Sequence, residues 1–368
     1  MSDQEYMELA LKLAEKGEGW TAPNPMVGAV IVKDGRIIGQ GWHERYGELH
    51  AERNALKACT EPPEGGTIYV TLEPCCHHGK QPPCVDAILS SGIRRVVVGS
   101  ADPNPLVSGK GMQILRENGV EVTEHVLQKE CDRLNEIFFH YIRTGRPFVT
   151  MKYAMTMDGK IAAYTGASKW ITGEKSRAYV QRQRHRHTAI MVGAGTVLAD
   201  DPLLTCRMKD GKNPIRVICD SSLCTPTDAQ VVVTAAQVPT ILATCCKDQE
   251  KHKTYEALGC RVLVAGEAGG RVELPKLMEM LGQEQIDSIL LEGGGTLNWS
   301  ALKSGIVQKV QAYIAPKLFG GQSAKTPVEG TGVPCPEDAV FLKDSRIICL
   351  GEDFLIEGEV DHHVYRDC

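Results

Sequence analysis

The chain has no excess of positive charge, no long apolar run and no internal repeat. Its 41 Lys and Arg stand against 46 Asp and Glu, for a formal charge of −5. A dedicated duplex-DNA binder carries a strong basic excess, so nucleic acid is not the expected partner. The longest apolar runs, such as residues 27–32, are strand-sized and far below the roughly 18 residues of a membrane-spanning helix. The acidic start Ser2-Asp3-Gln4-Glu5 leads into an amphipathic run and does not read as a secretory signal. Glycine and proline show no G-X-Y period, which excludes collagen-like chains. What is present is 42% apolar and 24% charged residues over 368 positions, enough for roughly two to three domains with buried cores. With such cores a disulfide scaffold is unnecessary, so the 14 cysteines read as reduced thiols. A soluble cytoplasmic enzyme is expected.

Periodicity predicts a helix over 5–16 and strands over 27–32 and 37–42, joined by an Asp34-Gly35 turn. A helix follows from His50 to about 58, then strand 67–72, helix 83–89, strand 95–99, helix 110–117 and strand 120–126. This alternation reads as a sheet covered by helices. One helix is expected over 128–143, and Gly145 with Pro147 behind it marks a boundary. A second α/β pattern has expected strands at 148–153, 189–192, 215–219, 231–234, 241–243, 261–264 and 288–291. Its expected helices are 174–186, 274–281 and 296–304, with a strand-rich hairpin from Val340. Two different folds follow, 1–145 and 146–368.

In the first half, His50-Ala51-Glu52 opens a helix, Glu73-Pro74-Cys75 ends a strand, and Pro82-Pro83-Cys84 starts a helix. One imidazole and two thiolates leave a tetrahedral Zn²⁺ one open position for water, whose pKa the metal lowers to about 7. Glu52, two residues from the histidine, can move protons between that water and a leaving amine. This is the layout for hydrolytic deamination of an aminopyrimidine or purine ring. A structural Cys/His zinc site, recruiting His77 or His78, would use the same thiols. Deaminases of nucleic acids and nucleosides carry P-C-x-x-C; here eight residues separate Cys75 from Cys84, adding a loop with His77 and Lys80. That loop is suited to an anionic group of the substrate, or to simple solvation.

Thr21-Ala22-Pro23-Asn24-Pro25-Met26-Val27-Gly28, His50-Ala51-Glu52 and Thr71-Leu72-Glu73-Pro74-Cys75 resemble the bifunctional riboflavin-biosynthesis deaminase/reductase family. His77-His78-Gly79-Lys80, Pro82-Pro83-Cys84 and Asp102-Pro103-Asn104-Pro105 share the resemblance. It implies zinc on His50, Cys75 and Cys84, with Glu52 as proton shuttle. It also implies a ribosylaminopyrimidine phosphate substrate touched by Asn24; His77 and Lys80 stay expected substrate contacts on the loop's own composition. Ala22 departs from many relatives at the residue before P-N-P.

The second half has no G-x-G-x-x-G, so the Rossmann fingerprint is absent. Glu292-Gly293-Gly294-Gly295-Thr296 lies at a strand-to-helix junction, where backbone amides can approach a phosphate. The basic cluster Arg182, Arg184, His185, Arg186 and His187 reads as a solvated face; alternatively, Arg184 and Arg207 form a phosphate clamp. Lys152-Tyr153-Ala154-Met155-Thr156-Met157-Asp158-Gly159-Lys160, Ser168-Lys169-Trp170-Ile171-Thr172, Gly195 through Pro202, Glu292-Gly293-Gly294 and Ala315-Pro316-Lys317 match the reductase half of the same family. The resemblance thereby covers nearly the whole chain.

It implies a cytidine-deaminase-like α/β/α sandwich followed by a dihydrofolate-reductase-like α/β domain that binds NADPH. Cofactor contacts carried over are Ala154, Trp170, Thr196, Asp200 and Ser221, with Gly294, Gly295, Thr296, Leu297, Asn298, Trp299 and Ser300. Substrate contacts carried over are Ser168, Arg184, Leu204, Arg207 and Glu292. The implied reactions are zinc-dependent deamination of 2,5-diamino-6-ribosylamino-4(3H)-pyrimidinone 5′-phosphate, then NADPH-dependent reduction of the ribosyl group to ribityl. No side chain stands out as acid or base for hydride delivery. Small phosphorylated pyrimidines are the expected partners, with no nucleic acid and no membrane, and a homo-oligomer the expected assembly. The competing expectation is a zinc deaminase of a tRNA base or free nucleotide with a C-terminal nucleotide-binding module. A non-enzymatic structural zinc domain joined to a nucleotide sensor is a third; Glu52→Gln, keeping zinc but losing activity, would separate it.

Overall fold

A computed structural model of the chain describes residues 1–77, 81–104 and 107–361. The chain divides into two compact units, Met1–Gly145 and Arg146–Cys368.

The first unit runs α1 (Asp3–Ala14), β1 (Gly28–Lys33), β2 (Arg36–Trp42), α2 (Ala51–Lys57), β3 (Thr67–Leu72), α3 (Cys84–Ser90), β4 (Arg95–Ser100), α4 (Lys110–Glu117), β5 (Glu121–Thr123), α5 (Gln128–Leu134) and α6 (Glu136–Thr144). Its sheet has the order β2-β1-β3-β4-β5, with β3, β4 and β5 parallel and β1 antiparallel to both neighbours. Both faces are covered, so β1 and β4 are near-continuous apolar runs instead of alternating ones. Met7, Ala10 and Leu13 of α1 meet Val30 and Val97 on one face. Ala55, Ile88 and Leu115 of α2, α3 and α4 meet Ile31, Val70 and Val98 on the other. Gly41 holds α2 close to β2, because a β-carbon there would lie 2.3 Å from the Ala55 nitrogen.

The single helix expected over 128–143 is two, broken at Asn135. Its buried amide is turned to the main chain of Met26, accepting from the Met26 N–H at 2.8 Å and donating to its carbonyl at 2.9 Å. The break thereby fixes the segment that carries Asn24. The strand expected over 120–126 is reduced to three residues.

The second unit runs β6 (Phe148–Thr156), α7 (Glu174–Arg186), β7 (Ala189–Gly193), α8 (Ala194–Asp200), β8 (Ile215–Cys219), α9 (Gln230–Val233), β9 (Thr240–Thr244), α10 (Gln249–Ala257), β10 (Arg261–Val264), β11 (Glu267–Ala268), β12 (Arg271–Val272), α11 (Leu274–Gln283), β13 (Ser288–Leu291), α12 (Gly295–Lys303), β14 (Lys309–Ala315), β15 (Leu342–Leu350) and β16 (Asp353–Val360). Nine strands form one sheet, β10-β9-β8-β7-β13-β6-β14-β16-β15, antiparallel only at the terminal hairpin. Leu277 and Met278 of α11 pack against Met191, Val217 and Ile289 on one face. Val197, Val232 and Tyr255 of α8, α9 and α10 pack against Ile190, Ile218 and Leu242 on the other.

The strand expected over 231–234 is a helix. A four-residue apolar run has no readable period, and β8 pairs directly with β9, leaving no slot for a strand between them. The run instead covers a sheet face with Val231 and Val232. Strand β14 and helices α8 and α10 had no counterpart among the expected elements.

Candidate functional site

In the first unit three loops converge on one cavity of about 230 Å³. His50 is the residue before α2, in an extended conformation; Cys75 follows β3; Cys84 is the first residue of α3 and fully buried. Cys75 Sγ and Cys84 Sγ lie 3.5 and 3.4 Å from His50 Nδ1, and the three donor atoms fall within 4.8 Å of one another. Ligands bound tetrahedrally at the Zn–N and Zn–S lengths of about 2.0 and 2.3 Å stand about 3.5 Å apart, so the donor set fits this ion. The Cys84 backbone N–H also points at Cys75 Sγ, at 3.4 Å. Hydrogen bonds from Cys84 and His50 hold Cys75 as a thiolate, and that neighbouring thiolate and burial push the Cys84 thiol up.

Glu52 lines the same cavity and is only 3% exposed. Burial first, and the Cys75 thiolate second, push its carboxyl up to about 7. Its place in the cavity beside the three donor atoms suits it to take and release a proton.

Asn24 and His77 both line the cavity, and Lys80 lies outside the described residues. His77 Nδ1 is buried without a hydrogen-bond partner among the described residues. His43, not singled out by its sequence context, orients Asn24. Its imidazole is buried, which lowers its affinity for a second proton. A carbonyl can only accept, so Nδ1 donates to Leu49 O at 3.0 Å. That leaves Nε2 to accept from Asn24 Nδ2 at 3.2 Å, and Asn24 Oδ1 to receive a donor from a ligand.

Two acidic groups complete the wall. Asp102 faces the cavity; burial raises its carboxyl to about 6, against the opposing hydrogen bond from the Asn104 N–H at 2.8 Å. Glu73 accepts from the amides of Asp102 (3.3 Å) and Gly109 (2.9 Å) on Oε2, and of Gly111 (3.0 Å) and Met112 (3.4 Å) on Oε1. It ties the start of α4 to the end of β3 beside the metal ligands. Both acids lie inside motifs legible in the sequence, but nothing in the spacing tells a carboxylate that faces a substrate from one that gathers amides.

In the second unit the expected cofactor positions gather at one edge of the sheet. Ala154 is near the end of β6, Thr196 and Asp200 are on α8 just past β7, Ser221 follows β8, and Gly294 precedes α12 just past β13. These are the carboxyl ends of four neighbouring strands, where open α/β sheets place their ligands. Gly295 and Thr296 begin α12, whose last carry-over position is Ser300. Ser168 and Trp170 lie on the connection after β6, and Trp170 is largely exposed with the Arg177 guanidinium 4.8 Å above its ring.

Other positions are packed into the protein or held by its own groups. Asn298 is fully buried and donates to Pro327 O at 2.8 Å. Leu297 packs on the core and Trp299 lies against Gly330. These three side chains therefore support the helix start from within. Arg184 of the expected clamp is held by the protein itself: it donates from Nε and Nη2 to both Glu292 oxygens at 2.8 and 3.0 Å, and from Nη1 to Thr205 O, two residues before Arg207, at 2.9 Å. Arg207 is exposed, and Leu204 is buried. Lys152, an unassigned member of its motif, stands with Nζ 3.6 Å from Glu292 Oε2. Burial raises the Glu292 carboxyl, but Arg184 and Lys152 outweigh it and hold it at about 2.

Residues 1–100 match the family model of the cytidine and deoxycytidylate deaminase zinc-binding region, and residues 147–356 match that of the RibD C-terminal domain. The riboflavin biosynthesis protein RibD of Actinobacillus pleuropneumoniae is 55% identical over 97% of this chain and 95% of its own length. The chain belongs to the RibD family. The Bacillus amyloliquefaciens RibD is 42% identical over 99% of this chain and 100% of its own length. Among solved structures, a diaminohydroxyphosphoribosylaminopyrimidine deaminase/5-amino-6-(5-phosphoribosylamino)uracil reductase from Thermotoga maritima is 38% identical with a TM-score of 0.85, covering 98% of this chain and 99% of that one. Acinetobacter baumannii RibD is 36% identical with a TM-score of 0.87 over the same shares. The sandwich and reductase-type folds expected from the sequence are those found. RibD membership along nearly the full length disfavours a tRNA or free-nucleotide deaminase with a binding module.

Proposed function

We propose that this chain carries out two successive steps of riboflavin biosynthesis on one phosphorylated pyrimidine. The first unit hydrolyses the 2-amino group of 2,5-diamino-6-ribosylamino-4(3H)-pyrimidinone 5′-phosphate, and the second reduces the ribosyl group of the product to ribityl with NADPH. The observation that carries the first step is the buried Glu52 carboxyl lining one cavity with His50 and Cys75, whose donor atoms lie within 4.8 Å of that of Cys84.

Zinc, held by His50, Cys75 and Cys84, supplies Lewis acidity and makes water acidic enough to react near neutral pH. Glu52 takes a proton from the attacking water and passes it to the departing amine, so that water and the amine become a ring carbonyl and ammonia. Asn24 Oδ1, aimed by His43, accepts from a ring N–H. His77 and Lys80 are assigned to the polar end of the substrate.

In the second unit NADPH supplies the hydride when bound. Its binding residues in this reading are Ala154, Trp170, Thr196, Asp200 and Ser221, with the start of α12 from Gly294 to Ser300. Ser168, Leu204, Arg207 and the Arg184–Glu292 pair are assigned to the phosphorylated substrate. Lys152 offers N–H donors beside Glu292 at the same strand edge.

A homo-oligomer belongs to this reading, on the exposed Ile347 and Phe354 of the terminal hairpin, and light scattering on the purified chain tests it. So does a cytoplasmic location, since the thirteen described cysteines are all free. The central test is mass spectrometry of the pyrimidine phosphate with zinc-loaded protein. Loss of ammonia without cofactor, and gain of two hydrogens only with NADPH, is expected; no change in mass would sink the substrate assignment.

A further inference from the structure

The segment between α8 and β8 holds an unusual backbone. Asp201 and Leu204 both adopt left-handed conformations, with φ of 39° and 52°. A leucine takes that conformation only where its surroundings hold it there. Here the holding groups can be named. The Gln230 backbone N–H donates to Asp201 Oδ1 at 2.8 Å, and its side chain to Asp201 O at 2.6 Å. Arg184 Nη1 holds Thr205 O, and Arg216 Nη1 holds Leu203 O at 3.2 Å. The Leu204 side chain is sunk in the core at 4% exposure. The two carbonyls flanking Leu204 are thus each held by a guanidinium.

Arg216, on β8, is fully buried. Among the described residues it has no carboxylate partner. Its remaining bonds go to Thr234 Oγ1 (2.8 Å), Thr234 O (3.1 Å) and Val238 O (2.6 Å), just past α9. Burial lowers its pKa to about 10, which still leaves it charged at neutral pH. An interior cation without a counter-ion is costly, and an apolar side chain would fill the space without that cost. What a planar fork adds is simultaneous reach to three carbonyls and a hydroxyl on two separate segments.

We infer that Arg216 is a positioning residue of the reductase site, fixing Leu203 against the end of α9 so that the turn at Leu204 presents the Thr205–Arg207 stretch to the substrate's phosphorylated end. This rests on the reading above that Leu204 and Arg207 meet the phosphorylated pyrimidine. Arg216 itself touches no ligand in this reading; it acts through main-chain geometry.

The test uses the full zinc-loaded chain and the variant Arg216→Lys, which keeps the charge and loses the fork. The KM for the deaminated pyrimidine phosphate should rise about tenfold or more, as a misplaced binding group predicts. NADPH affinity and kcat should stay within about threefold, the pattern of lost substrate binding. Amide hydrogen exchange should quicken at 203–207 while β8 and β9 stay protected. An unchanged KM, unchanged exchange at 203–207, or equal losses of NADPH and substrate affinity would each overturn the inference. Should Arg216→Lys not fold, Thr234→Val removes one acceptor of Arg216, together with the hydroxyl's own bond to Gln230 O, and must shift KM the same way by a smaller factor; no shift there overturns it too. If the unaltered chain shows no NADPH-dependent reduction, the reductase reading fails, while the exchange pattern still decides whether Arg216 anchors the turn.

Discussion

In the first unit the metal chemistry rests on side chains that lie between His50 and Cys84 and gather at one cavity. In the second unit the residues assigned under the proposed function run from Lys152 to Ser300 and come from strands, helices and loops, many of them at the carboxyl ends of four parallel strands. A metal demands particular donor atoms at fixed separations, and that demand leaves short motifs in the chain. A dinucleotide asks for a strand edge, a helix start and room, which many sequences supply. One site is defined by atoms, the other by shape.

The largest effects that would test this contrast are those at the metal cavity, Glu52→Gln among them. Deamination should fall on the order of 10²–10⁴-fold, with zinc content and NADPH-dependent reduction unchanged; metal analysis and separate assays of the two steps read all three. Loss of reduction as well would mean that the two sites are not separable. Removing zinc with a chelator, or replacing Cys84 by Ala, should abolish deamination and leave reduction of already deaminated substrate intact.

A smaller effect is expected for Glu292→Gln. It strands Arg184 and Lys152 without their shared carboxylate and should destabilise the second unit by about 3 kcal/mol. Because the folded Glu292 carboxyl lies at about 2, below its ordinary 4.5, its stabilising contribution is complete above the unfolded value and disappears as pH falls from there toward about 2. The difference in Tm between the unaltered and substituted chains should therefore be full at pH 6 and shrink in acid. A gap that stays constant down to low pH would show that the pair is not what the substitution removes. Asn135→Ala should do least, costing the first unit about 1–3 kcal/mol for two buried hydrogen bonds to Met26. A denaturant melt reads the stability, and KM for the diaminopyrimidine should rise modestly because Asn24 loses its support.

The same contrast explains what could be read from the chain. His50, Glu52, Cys75 and Cys84 declared themselves by donor type and spacing, and the structure brings them together. Sheet strands such as 67–72, 215–219 and 288–291 were legible because apolar runs of that length with Gly, Pro and polar flanks have few other readings. Residues 231–234 misled for want of length, since four apolar residues carry no period. Asn135 broke a helix for a tertiary reason, its bonds to Met26, invisible to any local propensity. Asn298 was named only through the family resemblance and Arg184 also through its basic cluster, and the direction each side chain takes depends on Pro327 and Glu292, more distant in the chain.

Glu73 has a consequence for how such a site changes over generations. Its carboxylate grips Asp102, Gly109, Gly111 and Met112 by their amides, and an amide is common to every residue but proline. Asp102 lines the cavity and Met112 is a core residue, so a side chain of similar size at either position leaves in place the amide that Glu73 holds. The span of the segment is what inheritance must preserve. New substrate preferences can be explored there by substitution, while an insertion or deletion would pull on the strand end that carries Cys75.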